Sequence, residues 1–205
     1  MPSSSALPGA QHVRIVAGKH RGRRLLAPPG ETVRPTSDRA REALFNILSH
    51  GGLTAGGNPF AEATVLDAFA GTGAIGLEAL SRGAAEAVFI EQDHEALAVL
   101  RKNIAALGES ARVRVIPGDV TSAPLAASAC GVVFLDPPYR SGLAGPALGA
   151  LAAAGWLAPG AIAVIELAAR EHFAPPPEFT LLEERVYGAA RLVFLRYEHI
   201  SGDER

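Results

Sequence analysis

A single cysteine, Cys130, occurs in the 205 residues, so no disulfide can form within the chain. Its surroundings, CGVVFL, are apolar, and a buried strand residue is expected there rather than a reactive thiol. No apolar run approaches the ~20 residues a membrane-crossing helix needs. The opening MPSSSALPGAQ lacks the basic-then-apolar pattern of a signal peptide, so a cytoplasmic protein is expected. The six histidines show no metal-ligand spacing, and no metal site is expected. No internal repeat is present either. What remains, 48% hydrophobic and 20% charged, excludes a disordered or fibrous chain and suits one globular domain, either an enzyme or a binding module.

The formal net charge of -2 hides an uneven distribution. Residues 12–41 hold eight of the 19 Lys and Arg (Arg14, Lys19, Arg21, Arg23, Arg24, Arg34, Arg39, Arg41) but two of the 21 acids (Glu31, Asp38), leaving 11 cations and 19 acids elsewhere. A solvated charged face would have this composition, and so would a polyanion-binding segment. The clustering within one stretch favours nucleic acid, with Arg14, Lys19, Arg21, Arg23, Arg24 and Arg39 as candidate contacts.

Along the chain, residues 1–11 are rich in Ser, Pro and Ala and are expected to form a disordered leader. VRIVAG and RRLLAP flank the turn-like KHRG and predict a short basic hairpin. Thr36, Ser37 and Asp38 can cap a helix from about Arg39 to Ser49. From residue 64 short apolar runs alternate with helical ones: TVLDAFA, AIGLEALSRG, residues 87–91, HEALAVLRKNIAALG, VRVIPGD, GVVFLD, LAGPALGALAAAGWL and AIAVIEL. That alternation predicts a parallel sheet covered on both faces. FTLLEERVYG and ARLVFLRYE then read as two strands around a Gly-Ala turn, adding an antiparallel edge hairpin.

Asp67, Ala68, Phe69, Ala70, Gly71, Thr72 and Gly73 fall where the first parallel strand gives way to its helix. Glycines there permit a tight turn and close approach of a ligand, and amides at the helix start favour an anionic group. Gly71, Gly73 and Gly76 also satisfy G-x-G-x-x-G, with Glu91 following Gly71 by 20 residues, as a ribose-binding acid should. The pattern alone leaves a nicotinamide-dependent oxidoreductase open beside other nucleoside cofactors. Asp93 suits a helix cap, and Asp119 suits either an adenine amino group or the closing of a turn.

Asp136, Pro137, Pro138 and Tyr139 follow the fourth strand and should emerge at the same sheet edge. The two prolines stiffen the loop. The Asp136 carboxylate and the Pro137 carbonyl can accept both hydrogens of an amino group, while Tyr139 offers a face for a stacked base. An exocyclic amine is a weak nucleophile whose lone pair is delocalised into its ring, and acceptors on its hydrogens draw that pair back to nitrogen. This constellation therefore points to methyl transfer onto nitrogen, driven by positioning more than by a strong base. A base within a helix must first be swung out to reach such a loop.

VRIVAGKHRGRRL, RPTSDRAREALFNIL, LDAFAGTGAIGLEALSRGA and FLDPPY together resemble the bacterial small-subunit ribosomal RNA guanine-N2 methyltransferase family of RsmD type, from about Val13 to the end. The resemblance implies an α/β fold of the Rossmann-like class I type, a mostly parallel seven-stranded sheet carrying S-adenosylmethionine across its carboxyl edge. It further implies that Arg34, Pro35 and Thr36 close over the methionine end of the cofactor, and that Asp67, Phe69, Gly71 and Gly73 form its methionine-binding turn. Glu91 would hold the ribose, Asp119 the adenine, and Asp136 to Tyr139 would be the catalytic loop, Asp136 also lying against the cofactor. That loop is shared with DNA amino-methyltransferases and, with Asn in first place, with release-factor glutamine methyltransferases. It thus specifies an amine or amide nitrogen, and guanine rests on the N-terminal segments. The implied partner is ribosomal RNA or an assembling small subunit. The chain divides into a leader (1–11) that is extra to the family pattern, a basic hairpin and helix (12–55) and a methyltransferase domain (56–205), and a monomer is expected because nothing in the sequence suggests a partner chain. A methyltransferase on DNA adenine or cytosine, and a non-catalytic RNA-binding protein with the same fold, are the competing readings.

Overall fold

The computed structural model describes residues 13–27, 35–50, 52–53 and 58–198, of which 35–39 by backbone alone; the leader at 1–11 and Arg34 lie outside the described residues. Seven strands form one sheet: β1 (Thr64–Ala68), β2 (Glu86–Glu91), β3 (Val113–Pro117), β4 (Cys130–Leu135), β5 (Leu157–Ala168), β6 (Phe179–Tyr187) and β7 (Ala190–Tyr197). Their order is β3-β2-β1-β4-β5-β7-β6. The first five pair in parallel, while β7 inserts antiparallel between β5 and β6, as the hairpin pattern predicts. The chain reverses at the two-residue Gly188-Ala189 turn, where Gly188 has φ 59°.

The central strands read as continuous apolar runs because both faces of the sheet are covered. Val65, Phe89, Phe134, Val164 and Phe194 face α1 (Pro35–His50), α2 (Ala74–Ser81), α3 (His94–Leu107) and the N-terminal segment. Leu66, Ile90, Val133, Ile165 and Leu195 face α4 (Ala144–Ala153) and the chain around Trp156. Cys130 is fully buried on β4, and burial pushes its thiol up to about 12, which leaves it inert.

Three boundaries depart from the sequence pattern. α1 starts at Pro35, four residues earlier than the Thr-Ser-Asp cap predicts, because proline's fixed φ suits the first helical position. α4 stops at Ala153 instead of continuing through Trp156 and Leu157. Gly155 takes φ 77°, the Trp156 amide donates back to the Leu151 carbonyl at 2.9 Å, and Leu157 already belongs to β5. The predicted basic hairpin forms but is short: the antiparallel bridge of Arg14 with Arg24 is flanked by bonds from Leu25 N to the Val13 carbonyl and from Ile15 N to the Arg23 carbonyl at 2.9 and 3.0 Å. The amides of Val16 and Ala17, which would extend it, donate to the Glu78 carboxylate at 2.7 and 3.0 Å.

Candidate functional site

The strand order reverses between β1 and β4, so the loops leaving these neighbours diverge and open a crevice at the carboxyl edge. The Asp136 amide donates to the Ala68 carbonyl at 3.4 Å, tying the Asp-Pro-Pro-Tyr loop to the glycine turn across it. Phe69 enters that turn at φ 63°, a strained conformation for a bulky residue. Gly71 follows at φ 53°, and a Cβ built on it would meet nothing within 4 Å. The backbone there is bare towards open space. Gly73 and Gly76 are glycine for another reason: a Cβ would lie 2.3 Å from Leu100 Cδ1 or 2.4 Å from Phe89 Cε1. The third glycine of G-x-G-x-x-G thus serves packing of helix on sheet.

Two acids hold this turn. The Asp67 carboxylate is 2% exposed and accepts from the Gly76 amide at 2.8 Å. Burial, opposed by that amide and reinforced by the nearby Glu91 charge, raises its pKa to about 7. Glu91 accepts from Gly71 N through Oε2 at 2.7 Å, and from the amides of Gln92 and Asp93 through Oε1 at 2.8 Å each. Three of its lone-pair positions are taken, and the fourth, on Oε2, is available to a hydroxyl. Asp93 caps α3 by accepting from Ala96 N, the structural role its position suggests. Asp119 is exposed beyond β3 and accepts from Thr121 N at 2.9 Å, so it closes a turn and keeps its other oxygen outward. α2 begins at Gly73 with no side-chain cap. Its first amides are donors suited to a carboxylate.

On the other side of the crevice Asp136 and Pro138 are exposed, Pro137 is buried and Tyr139 is half-buried. The Tyr139 hydroxyl donates to Glu166 Oε1 at 2.7 Å, and the Arg140 amide donates to Glu171 Oε2 at 2.8 Å, so the end of β5 braces the loop. Pro35 and Thr36 lie in the first turn of α1, and Arg39 on the same helix; with Arg34 outside the described residues, the expected lid is placed by backbone only.

The basic segment sits against α2 and α3. Glu78, wholly buried, accepts from Val16 N, Ala17 N and Arg82 Nε. Ser81 Oγ donates to the Ala17 carbonyl and accepts from His20 N. Glu109 gathers Lys19, His20 and Arg112. Burial would raise the Glu109 pKa, but hydrogen bonds from His20, Arg112 and Lys19 outweigh it and hold the carboxyl below its usual value. Arg23 donates to the Ala106 carbonyl at 2.6 Å. Asn103, 1% exposed, accepts from Leu26 N at 2.8 Å and donates to the carbonyls of Leu26 and Thr72 at 3.1 and 2.9 Å, joining the segment to the glycine turn. Arg14, Arg21 and Arg24 are exposed and make no ion pair among the described residues.

Glu78, Asn103, Glu109 and Glu166 escaped the sequence reading. For three of them a signal existed: Glu78 in AIGLEALS, Asn103 on the apolar stripe of α3 and Glu166 in AIAVIEL are each a lone polar residue at a buried position. Such a residue needs partners, and here the partners are functional loops.

Comparison with known proteins agrees with this geometry. The model of the family described as "Conserved hypothetical protein 95" matches residues 13–196. The Ribosomal RNA small subunit methyltransferase D of Escherichia coli is 38% identical over 182 residues, covering 88% of this chain and 87% of that one. The Haemophilus influenzae protein of the same name is 38% identical over 181 residues, 86% and 89% of the two chains. The structure of the Escherichia coli methyltransferase yhhF superposes with a TM-score of 0.77 at 37% identity, covering 91% of this chain and 98% of that one. The oxidoreductase reading of the glycine motif finds no support among these relatives. The chain belongs to the family of the small-subunit ribosomal RNA methyltransferase D proteins, with their Rossmann-like methyltransferase fold.

Proposed function

We propose that the protein transfers a methyl group from S-adenosylmethionine to the exocyclic N2 amino group of a guanine in small-subunit ribosomal RNA. The observation that carries this reading is the meeting of the bare Gly71 backbone, Glu91 and Asp119 with the exposed Asp136 at one crevice of the sheet. Their chemistry fits the cofactor. The uncapped start of α2 suits its carboxylate, the remaining lone pair of Glu91 a ribose hydroxyl, and the outward oxygen of Asp119 the adenine amine. When bound, S-adenosylmethionine supplies an electrophilic methyl on a positively charged sulfur.

The protein's own part is to hold the nucleophile. Asp136 and the Pro137 carbonyl accept the two hydrogens of the amine and restore electron density to nitrogen. Tyr139, fixed through its hydroxyl by Glu166, limits where a base can stack. Asp136 takes up a proton only late, after methylation has made the nitrogen acidic. Arg14, Lys19, Arg21, Arg23, Arg24 and Arg39 hold phosphates, and residues 12–55 serve as the substrate-holding part of a protein whose residues 56–205 carry the chemistry. The small-subunit ribosomal RNA target draws on the likeness to the methyltransferase D proteins, and guanine on the resemblance carried by the N-terminal segments VRIVAGKHRGRRL and RPTSDRAREALFNIL. Incubating the protein with labelled S-adenosylmethionine and small ribosomal subunits from a strain lacking the enzyme should label one guanine, located by mass spectrometry of RNA fragments. Label in protein, in another base or nowhere would defeat the proposal.

A further inference from the structure

The basic segment does not end at its turn. From Ser81 it crosses the C-terminal half of α3, touching Glu109, Ala106 and Asn103 in succession, and reaches Leu26 beside Thr72 of the glycine turn. α3 begins at the carboxyl edge, just after Glu91, and runs back towards the opposite edge. Asn103 is therefore nearer the crevice than Ala106, and the segment leads towards the reacting centre.

Two exposed cations stand on this part of α3, Arg101 and Lys102, and neither makes an ion pair among the described residues. At about 100° per residue, Lys102 lies about 40° around the helix from Ala106 and one turn nearer the crevice. It flanks the line on which the segment lies. Arg101 lies about 140° from Ala106 and about 160° from Asn103, on the other flank. The acids behind the segment, Glu78 and Glu109, are buried and bonded to Arg82, Lys19, His20 and Arg112, and neither bonds Lys102. Leu26, half exposed where the segment reaches Asn103 beside the glycine turn, adds an apolar contact of the kind a ribose or base edge uses.

Resting on the functional reading above, we propose that Lys102 is an RNA-contacting residue that extends the basic turn along α3 into a track for the phosphodiester backbone leading to the crevice, and that Arg101 is not part of it. The two residues form an internal control, since Lys102→Glu and Arg101→Glu change the net charge equally on adjacent residues of one exposed helix. The probe is transcribed small-subunit ribosomal RNA, with binding measured from low to moderate salt and S-adenosylmethionine affinity measured alongside as a check on folding. Lys102→Ala should weaken RNA binding about three- to tenfold and lower the slope of log affinity against log salt by about 1, the loss of one phosphate contact. Lys102→Glu should weaken it further, while Arg101→Ala and Arg101→Glu stay within about twofold of the wild type in the same assay. Equal losses for Lys102→Glu and Arg101→Glu would reduce the effect to overall charge and overturn the track, as would an unchanged salt slope in Lys102→Ala. A wild type that binds S-adenosylmethionine but no RNA would remove the functional reading as well, a result distinct from either.

Discussion

The acids behind the basic segment and the acids along the sheet's carboxyl edge are bonded in opposite ways. Glu78 and Glu109 are met by side chains, Arg82 beside two backbone amides for the first and Lys19, Arg112 and the His20 ring for the second. Asp67, Glu91, Asp93 and Asp119 accept from backbone amides. A cation neutralises an acid and lets it be buried as mortar. An amide fixes its direction and leaves the negative charge in place. The rear of the segment is thereby neutral and its front cationic, which suits a phosphate backbone. Apart from Asp67, which burial pushes up to about 7, the edge keeps carboxylates with spare acceptors, which suits hydroxyls, amines and a positively charged sulfur.

If that contrast holds, substitutions in the two regions should separate cleanly. Asp136→Ala should cost the most, a loss of about a hundredfold or more in kcat/KM with a much smaller fall in S-adenosylmethionine affinity, read by single-turnover methylation. Survival of activity in that variant would remove Asp136 from the chemistry. Glu78→Ala should lower stability by about 3 kcal/mol, because it strands Arg82 and two amides; urea unfolding reads it. Catalysis at a temperature where the variant remains folded should fall mainly through KM for RNA.

The smallest effect is expected at Asp67. Its carboxyl, with an ordinary pKa of 3.8, is raised to about 7 in the fold, so the folded state favours the protonated form. The stability this confers is complete below about pH 4 and is lost as the pH rises through 7. Asn imitates the protonated acid. Between pH 5 and 8 the wild type should therefore lose about 1–3 kcal/mol relative to Asp67→Asn, seen as converging or crossing urea midpoints. Parallel midpoints would mean that Asp67 stays ionised in the fold.

The sheet was legible because most of its strands are apolar runs, because helical segments follow β1, β2 and β4, and because Gly71, Glu91, Asp119 and Asp136 all follow strand ends. Position along a strand translates directly into position along an edge. The links between distant segments did not translate in this way. Nothing local in VRIVAG says that its amides will meet a glutamate 62 residues on, which is why the sequence predicts a longer hairpin than the short one around Arg14 and Arg24. The opposite ends of α4 and α1 show the limits of local rules: Gly155 overrode an apolar pattern that pointed to more helix, and Pro35 overrode a cap. Tyr139 was read as a stacking face, while its hydroxyl's partner came from the far strand β5.

Asn103 leaves a mark on what this sequence can become. Its amide is used at both ends, one acceptor and two donations, and its neighbours leave it 1% exposed. Aspartate has the shape but no hydrogens to give, leucine has neither function, and glutamine carries one methylene more than a close-packed site tolerates. Few single-residue exchanges keep both loops in place. The position is a bottleneck for divergence, while the exposed Arg14, Arg21 and Arg24 are free to move along the segment or trade places with lysine.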